Sequence, residues 1–187
     1  MKATEILKDE HRHIERMLTV LEHASGRLLK GEKIPPEVFR DAIHFLRMFA
    51  DKCHHAKEET LLFPAMVEKG FPREAGPLAV MLAEHEQGRA EVGAMHDALE
   101  RYSADKDDGV EELVAHAHRF IRLLREHIAK EDNVLFAMAD QHFSADEQTT
   151  LLQDFKKVEG SGEACATKTD LVALLKRMER EAGAKYG

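Results

Sequence analysis

The chain lacks most of the features that mark extracellular and membrane proteins. Its 187 residues include only two cysteines, Cys53 and Cys165, too few for a disulfide framework or for a four-thiolate zinc or iron–sulfur site. No apolar run approaches the ~18 residues of a membrane span. The first residues enter a charged helical pattern without an apolar signal region. We therefore expect a cytoplasmic protein that does not bind membranes.

Acidic residues outnumber basic ones in the chain. The chain has 27 Lys and Arg residues against 35 Asp and Glu residues, which gives a net charge of −8. This balance argues against a nucleic-acid groove and against a polybasic membrane patch, whereas metal cations and small neutral or gaseous ligands remain compatible with it. The one clear excess in the composition is the twelve histidines.

Apolar residues recur at helical spacing along the chain, and no strand-like alternation competes with them. Four long helices are predicted, over about residues 4–30, 36–69 and 78–102, and from the polar loop 105–109 to residue 141. Gly31 and Gly70 end the first two helices, and Asp107 or Asp108 can cap the fourth. Four long helices with short loops predict an all-α fold, an up-down-up-down antiparallel four-helix bundle over residues 1–143.

Residues 144–187 are predicted to form a short helical C-terminal extension. A capping box, Ser144-Ala145-Asp146-Glu147, starts a fifth helix that ends near Val158, and Gly160-Ser161-Gly162 then breaks the pattern. A last amphipathic segment carries four apolar residues at helical spacing, Leu171, Leu174, Leu175 and Met178. It can pack on the bundle or on a second subunit, so a homo-oligomer formed through the C-terminal helices is one expectation.

A histidine and a glutamate four residues apart occur twice inside these apolar helical patterns. His54 and Glu58 precede Leu62-Phe63, and His127 and Glu131 precede Leu135-Phe136 at the same spacing. Residues four apart lie nearly on one helix face, so each copy presents an imidazole beside a carboxylate. A buried carboxylate is costly unless it is paired or metal-bound. The two copies therefore predict a metal site.

Two more histidines lie on inner helical stripes, His11 in the first helix and His85 in the third. Because neighbouring helices alternate in direction, the four inner histidines can reach one level of the bundle. Imidazole and carboxylate without thiolate favour iron or manganese over structural zinc, although zinc stays open on ligand type alone. Six such groups are too many for one metal with room for a substrate. Shared between two ions, they give each ion two histidines, with both glutamates able to bridge.

These motifs resemble those of the hemerythrin-like family, the HHE cation-binding domains. The matching stretches cover about the first 140 residues: Glu10-His11-Arg12, residues 54–64, Glu84-His85-Glu86 and residues 127–136. The resemblance implies a four-helix bundle with two iron ions in a non-haem di-iron centre, oxo- or hydroxo-bridged. It also implies six metal ligands, which are His11, His54, Glu58, His85, His127 and Glu131.

The chain departs in two places from the oxygen-carrying members of that family. Those proteins have a second ligand histidine one turn after the first in the third helix, where this chain has Arg89. Their last carboxylate lies five residues after the fourth-helix histidine, where this chain has Asp132. We favour Glu131 as the ligand, because it matches the position of Glu58 before its Leu-Phe pair. The resulting set of four histidines and two glutamates resembles the di-iron domain of the iron–sulfur repair proteins and argues against simple reversible oxygen carriage.

These considerations favour a ligand-binding or sensing module whose partner is a small diatomic molecule or peroxide. Oxygen, nitric oxide and peroxide are the candidate ligands, in sensing or in oxidative or nitrosative stress. The sequence contains no motif that indicates a general acid, a nucleophile or a pocket for an organic substrate, so no catalytic residue is assigned. Two alternatives stay open. One is a di-iron enzyme that breaks down peroxide or repairs iron–sulfur clusters, and the other is a protein of iron storage or delivery.

Other polar residues near these motifs have two alternative roles each. His55 and Glu59, each one position past a proposed ligand, are expected to support the ligands from behind or to be solvated. His96 and His116 lie eleven residues from His85 and His127 on the same stripes. They could form a paired polar layer or a minor metal site, or they could be two separate hydrogen-bonded histidines.

Overall fold

The predicted helical character extends through every part of the chain that the structure describes. A computed structural model describes residues 2–103, 109–161 and 168–182, and within these ranges the chain forms helices and no strand. The predicted capping residues Asp107 and Asp108, and the predicted helix breaker Gly162, lie outside them. None of the described helices combines the length and the apolar character that a membrane crossing requires.

The described residues form six helical regions, four of them long. They are α1 (Ala3–Leu29), α2 (residues 36–68), α3 (Gly76–Ser103), α4 (residues 110–142), α5 (Ala145–Ser161) and α6 (Lys168–Ala182). Pro36 stands at the first position of α2, where its missing N–H is not needed. Gly31 and Gly70 follow α1 and α2 with φ of 79° and 92°, a left-handed conformation that ends helices and suits glycine. The predicted boundaries of the long helices agree with these to within about two residues.

Two of the long helices contain π-helical segments, which the sequence analysis did not predict. In α2, α-helical Pro36–Phe45 leads into π-helical Leu46–His55 and Glu58–Leu62, and Phe63–Glu68 is α-helical again. In α4, Val110–Lys130 is α-helical, Glu131–Leu135 is π-helical and Phe136–His142 is α-helical. The Phe63 N–H donates to the Glu58 carbonyl, and the Phe136 N–H donates to the Glu131 carbonyl. The repeated motif therefore closes the same wide turn in both helices.

Ion pairs show the relative direction of the neighbouring long helices. Between α3 and α4, Arg101 binds Glu112 and Glu84 binds His127, so residue numbers rise along one helix as they fall along the other. The same opposite order holds between α1 and α4, where Glu22 pairs with Arg125 and Arg12 with Asp132. Each of these helix pairs is therefore antiparallel.

The apolar core is divided into two clusters by a layer of buried polar residues. Along α1, Leu7 belongs to the smaller cluster and Ile14 to the larger one, with His11 between them. Along α4, Leu124 belongs to the larger cluster and Leu135 to the smaller, with Glu131 between them. Buried charge is costly without compensation. The layer must therefore be stabilised by pairing within itself or by a cation.

The C-terminal helices pack on the long helices of the same chain. Phe155 of α5 is completely buried in the smaller cluster, and Leu171, Leu175 and Met178 of α6 are buried in the larger one. Helix α5 continues to Ser161, beyond the predicted end near Val158. The last segment therefore packs on the bundle of its own chain, and a homo-oligomer formed through the C-terminal helices stays a prediction.

Candidate metal centre

All six predicted ligands lie in the polar layer, and none is more than 1% exposed. Their side chains meet in two groups that share one residue. In each group the candidate ligand atoms lie within 4.8 Å of one another. The first group contains His11, His54, Glu58 and Glu131, and the second contains His55, Glu58, His85 and His127.

Both glutamates connect histidines that belong to different groups. One Glu131 oxygen lies 3.2 Å from Nε2 of His11 and 3.2 Å from Nε2 of His127. The Glu58 carboxylate lies 3.5 Å from Nε2 of His54 through one oxygen and 3.4 Å from Nε2 of His85 through the other. Each carboxylate therefore lies between a histidine of the first group and a histidine of the second.

Six of the polar atoms that point into this layer fit a cation, because hydrogen bonds do not satisfy them. Both carboxylate oxygens of Glu58 and of Glu131 are buried without a hydrogen-bond partner, as is Nε2 of His11 and of His54. Each unsatisfied buried group costs about 1–3 kcal/mol, and more if charged. In addition, Nε2 of His85 and Nε2 of His127 lie only 3.1 Å apart. Convergent oxygen and imidazole atoms of this kind are the donors that iron and similar divalent ions bind.

A carboxylate behind each of the four histidines fixes the orientation of its ring. Four Nδ1 atoms contact four carboxylates: His11 with Asp132 at 2.8 Å, His54 with Glu10 at 3.0 Å, His85 with Glu59 at 2.7 Å and His127 with Glu84 at 2.9 Å. When Nδ1–H donates to such a carboxylate, the Nε2 lone pair is directed inward, as is usual for metal-binding histidines.

A cation in turn lies behind each of these carboxylates. Arg12 binds Asp132, and Lys130 binds Glu84. Arg89 lies 2.6 Å from Glu59. Lys57 binds Glu10, and Lys168 of α6 reaches the same carboxylate at 2.6 Å. The charges therefore alternate outward from the centre.

The groups facing the centre have unequal proton affinities. Burial and the nearby Glu131 charge raise the pKa of Glu58 well above its ordinary value. For Glu131 burial acts in the same direction, but His127 and His11 outweigh it and hold its pKa well below the ordinary value. Burial lowers the pKa of His127, but Glu131 and Glu84 outweigh this and raise it to about 9. A bound cation would displace protons from Glu58 and His127.

The structure also places several residues whose roles the sequence left open. His55 is 6% exposed and belongs to the second group, although it was expected behind the ligands or in solvent. Glu59 supports His85 from behind, as one of its two predicted roles required. Asp132, the alternative last ligand, contacts the outer nitrogen of His11, whereas Glu131 faces the centre.

The supporting residues Glu10 and Glu84 were missed as functional residues, although the sequence contains a signal for them. Each directly precedes a centre histidine of its own helix but contacts a histidine of a neighbouring helix. The acidic residues Glu59 and Asp132 likewise directly follow the two central glutamates, Glu58 and Glu131. An acidic neighbour beside five of the six candidate ligands, all except His54, was therefore the available signal.

The contacts of His116 in the structure are with residues other than His96, with which a pairing was suggested. Nδ1 of His116 contacts Glu91 at 2.6 Å, and Arg119 also reaches the His116 ring, at 2.8 Å. His116 therefore has a local surface role that is separate from the metal centre.

Comparison with known proteins identifies the family. The profile of the hemerythrin HHE cation-binding domain matches residues 2–139, and the chain belongs to this family. Membership implies metal binding, with iron as the family's metal, and the buried histidine and glutamate groups described above could hold such an ion.

Several characterised and uncharacterised proteins are similar to the chain. An uncharacterized protein of Mycobacterium tuberculosis is 24% identical over 157 residues, which cover 84% of this chain and 61% of that protein. The iron–sulfur cluster repair protein YtfE of Musicola paradisiaca is 36% identical over 89 residues, 46% of this chain and 40% of that protein. YtfE of Salmonella newport is 27% identical over 149 residues, 72% of this chain and 62% of that protein. The chain spans less than two thirds of the length of these relatives, and no solved structure matches it.

Proposed function

We propose that this chain is a non-haem di-iron protein whose centre binds a small ligand, namely oxygen, nitric oxide or peroxide, in sensing or in the response to oxidative or nitrosative stress. The observation that carries the proposal is the pair of buried carboxylates, each with both oxygens lacking hydrogen bonds and each lying between histidines of different groups. One cation could not be coordinated by all four histidines and both glutamates, whereas two cations could share them.

In this proposal the two iron ions have separate histidines and share the carboxylates. His11 and His54 would hold one ion, His85 and His127 would hold the other, and Glu58 and Glu131 would be shared between them. The antiparallel pairing of α1 with α4 and of α3 with α4 supports an up-down-up-down bundle as the scaffold. Such a bundle supplies inward-facing ligands from all four helices at one level.

A di-iron pair supplies redox-active positions at which a diatomic molecule or peroxide can bind. The protein restricts what can reach them, because apolar rings close the centre on the side of the smaller cluster. The Phe136 ring stacks on His11 with centroids 5.5 Å apart, and the Phe63 ring stacks on His85 with centroids 6.0 Å apart. These two apolar rings exclude water and leave little space for an organic substrate, which favours small ligands.

A second candidate function is an enzyme of iron–sulfur cluster repair or peroxide breakdown. The observation that favours it is the similarity to proteins named as iron–sulfur cluster repair proteins. Iron storage or delivery is a third candidate. The complete burial of all six candidate ligands supports a resident centre over one that exchanges its iron.

Metal analysis and spectroscopy of the full chain test the leading proposal. The chain loaded with ferrous iron and then oxidised should contain close to two irons and absorb in the near ultraviolet as a bridged ferric pair. His54→Ala and Glu58→Ala should abolish that absorption, whereas the surface variant His142→Ala should retain it. A colourless protein that holds a single zinc would contradict the proposal.

Mixing the iron-loaded chain with peroxide distinguishes the ligand-binding function from the enzymatic function. Sustained oxygen release would support peroxide breakdown. A reversible spectral change on addition of nitric oxide or oxygen, without turnover, would support ligand binding.

A further inference from the structure

The centre is built from two similar halves, one from α1 and α2 and the other from α3 and α4. Glu10-His11 of α1 corresponds to Glu84-His85 of α3. His54, Lys57 and Glu58 of α2 correspond to His127, Lys130 and Glu131 of α4. The contacts correspond as well, because each preceding glutamate binds the histidine and the lysine of its partner helix. Corresponding positions of the two halves can therefore be compared, and a difference between them marks a feature that only one half has.

Three departures from this correspondence fall together in one place. The Leu46–His55 segment of α2 is π-helical, whereas Val110–Lys130 of α4 is regular α-helix up to its histidine. His55, directly after His54, corresponds to the buried Ile128 after His127. Gly88, three residues after His85, corresponds to the buried Ile14 three residues after His11. All three departures border the same cleft.

The cleft lies between the Leu46–His55 segment and α3 and has a volume of about 380 Å³. Gly88 and Gly93 form part of its α3 wall, and Phe120 contributes from α4. A Cβ atom on Gly88 would lie 3.5 Å from the Phe120 ring, and one on Gly93 would have nothing within 4 Å. The absence of side chains at these two positions therefore keeps the cleft open, whereas Ile14 occupies the corresponding position in the other half.

His55 connects this cleft to the metal centre. It lines the cleft and also belongs to the second ligand group, and no other residue of the two ligand groups lines the cleft. Its Nδ1 is buried without a hydrogen-bond partner and lies 3.6 Å from Oδ1 of Asp51, beyond hydrogen-bond distance, and its ring stacks on that of His85 with centroids 3.9 Å apart. A buried nitrogen that makes no hydrogen bond, at the inner end of an open cleft, can bind a ligand atom.

The side chains around the cleft carry an excess of positive charge. Arg47, Lys52 and Arg89 line it together with a single carboxylate, that of Asp51. Arg89 is paired with three carboxylates, those of Asp51, Glu59 and Glu86, at 2.8, 2.6 and 2.5 Å. Arg47 and Lys52 form no ion pair among the described residues, so in a chain whose net charge is −8 these two side chains are the ones that attract anions to the opening.

We propose that this cleft is the entrance by which a small anion reaches the metal centre, and that His55 hydrogen-bonds the anion at its inner end. The inference rests on the proposed di-iron function and adds a route, a ligand charge and a ligand-binding residue to it. The occupant is an anion of a few atoms, because the inner end is bounded by His55 and the buried ligands. Azide is a suitable probe of this class.

Stopped-flow measurement of azide binding to the diferric full chain tests the route. Gly88→Leu and Gly93→Leu place a side chain in the cleft, and each should lower the association rate constant at least about tenfold with little change in iron content or final spectrum. Gly26→Leu is the matched control, since Gly26 also lies inside a helix with nothing within 4 Å of its Cβ position, but away from the cleft. Its association rate constant should equal that of the unmodified chain.

The role of His55 is tested by His55→Ile, which installs the residue found in the other half. Azide should dissociate about five to ten times faster from this variant, as expected for the loss of one hydrogen bond. His96→Ile, a change at a half-buried histidine outside the cleft, should leave the dissociation rate unchanged. In the unmodified chain, added salt should slow azide association, and Arg47→Ala with Lys52→Ala should weaken that salt dependence.

Failure of the cleft proposal differs from failure of the proposed function. Unchanged azide association rates in both glycine variants, with full iron content and a normal final spectrum, would overturn the route and leave the di-iron function standing. An unchanged dissociation rate in His55→Ile would overturn the role of His55. A chain that takes up no iron pair would overturn the di-iron function itself, and with it the cleft as a route to that centre.

Discussion

Glu10 contacts Nδ1 of His54 at 3.0 Å, and the two side chains are only 2% and 1% exposed. The contact joins neighbouring helices and fixes one imidazole of the candidate centre from behind. Burial alone would raise the pKa of Glu10, but the His54 hydrogen bond and the charges of Lys57 and Lys168 lower it far below its ordinary value. The carboxylate is therefore charged and can hold the His54 ring with its Nε2 facing inward.

We expect Glu10→Gln to weaken iron binding without removing any ligand. Loss of a carboxylate behind a ligand histidine typically costs about 10–100-fold in metal affinity. Competition with a chelator of known affinity would measure the change, and the near-ultraviolet spectrum of the loaded variant should remain that of the unmodified chain. Glu15→Gln, on the same helix but outside the centre, is the control. Equal affinities for both variants would contradict this positioning role.

The last carboxylate ligand can be identified by comparing adjacent residues. Glu131 faces the centre and lies 3.2 Å from two histidines, whereas Asp132 contacts the outer nitrogen of His11. Glu131→Ala should therefore abolish the two-iron spectrum. Asp132→Ala should preserve that spectrum while lowering iron affinity by about 10–100-fold, as for other supporting carboxylates. The reverse pattern would identify Asp132 as the ligand.

Metal binding should release protons and strengthen as the pH rises. The pKa of Glu58 is raised well above its ordinary value by burial and by Glu131, and that of His127 is raised to about 9 against the effect of burial. Both groups must be deprotonated to bind a metal, so protons compete with the metal below about pH 9. For each proton released, affinity should rise about tenfold per pH unit in that range.

Anaerobic titration with ferrous iron at several buffer pH values, with a pH indicator present, measures this release. Glu58→Gln has no titrating proton at that position and should release fewer protons per chain. His142→Ala, which removes an exposed histidine, should release the same number as the unmodified chain. Affinity that does not change between pH 6 and 9 would contradict the expectation.

The sequence was sufficient to predict the helices and the six central residues, because both follow from periodicity. His54 and Glu58 four apart share a helix face, and apolar residues at the same spacing determine which face is inside. The prediction that Glu131 rather than Asp132 faces inward followed from the repeated Leu-Phe pair, and the structure places the two residues in that way.

The position of His55 could not be predicted in the same way. A π-helical turn contains more residues than an α-helical turn, so consecutive residues are separated by a smaller angle. In the Leu46–His55 segment this allows His54 and His55 both to be buried next to the centre. Apolar periodicity averages over several turns and does not register one wide turn. The supporting carboxylates were missed for a different reason, since their partners lie on other helices.

Helix α6 should contribute to the stability of the whole domain. Leu175 is completely buried in the larger core cluster, together with residues of α1 and α2. Leu175→Ala should lower the free energy of unfolding by about 2–5 kcal/mol, because it removes buried methyl groups and leaves a cavity. Urea unfolding followed by circular dichroism measures the change. Leu29→Ala is the control, since Leu29 is 58% exposed and surface changes are usually within about 0.5 kcal/mol. If both variants unfolded at the same urea concentration, α6 would not be part of the cooperative core.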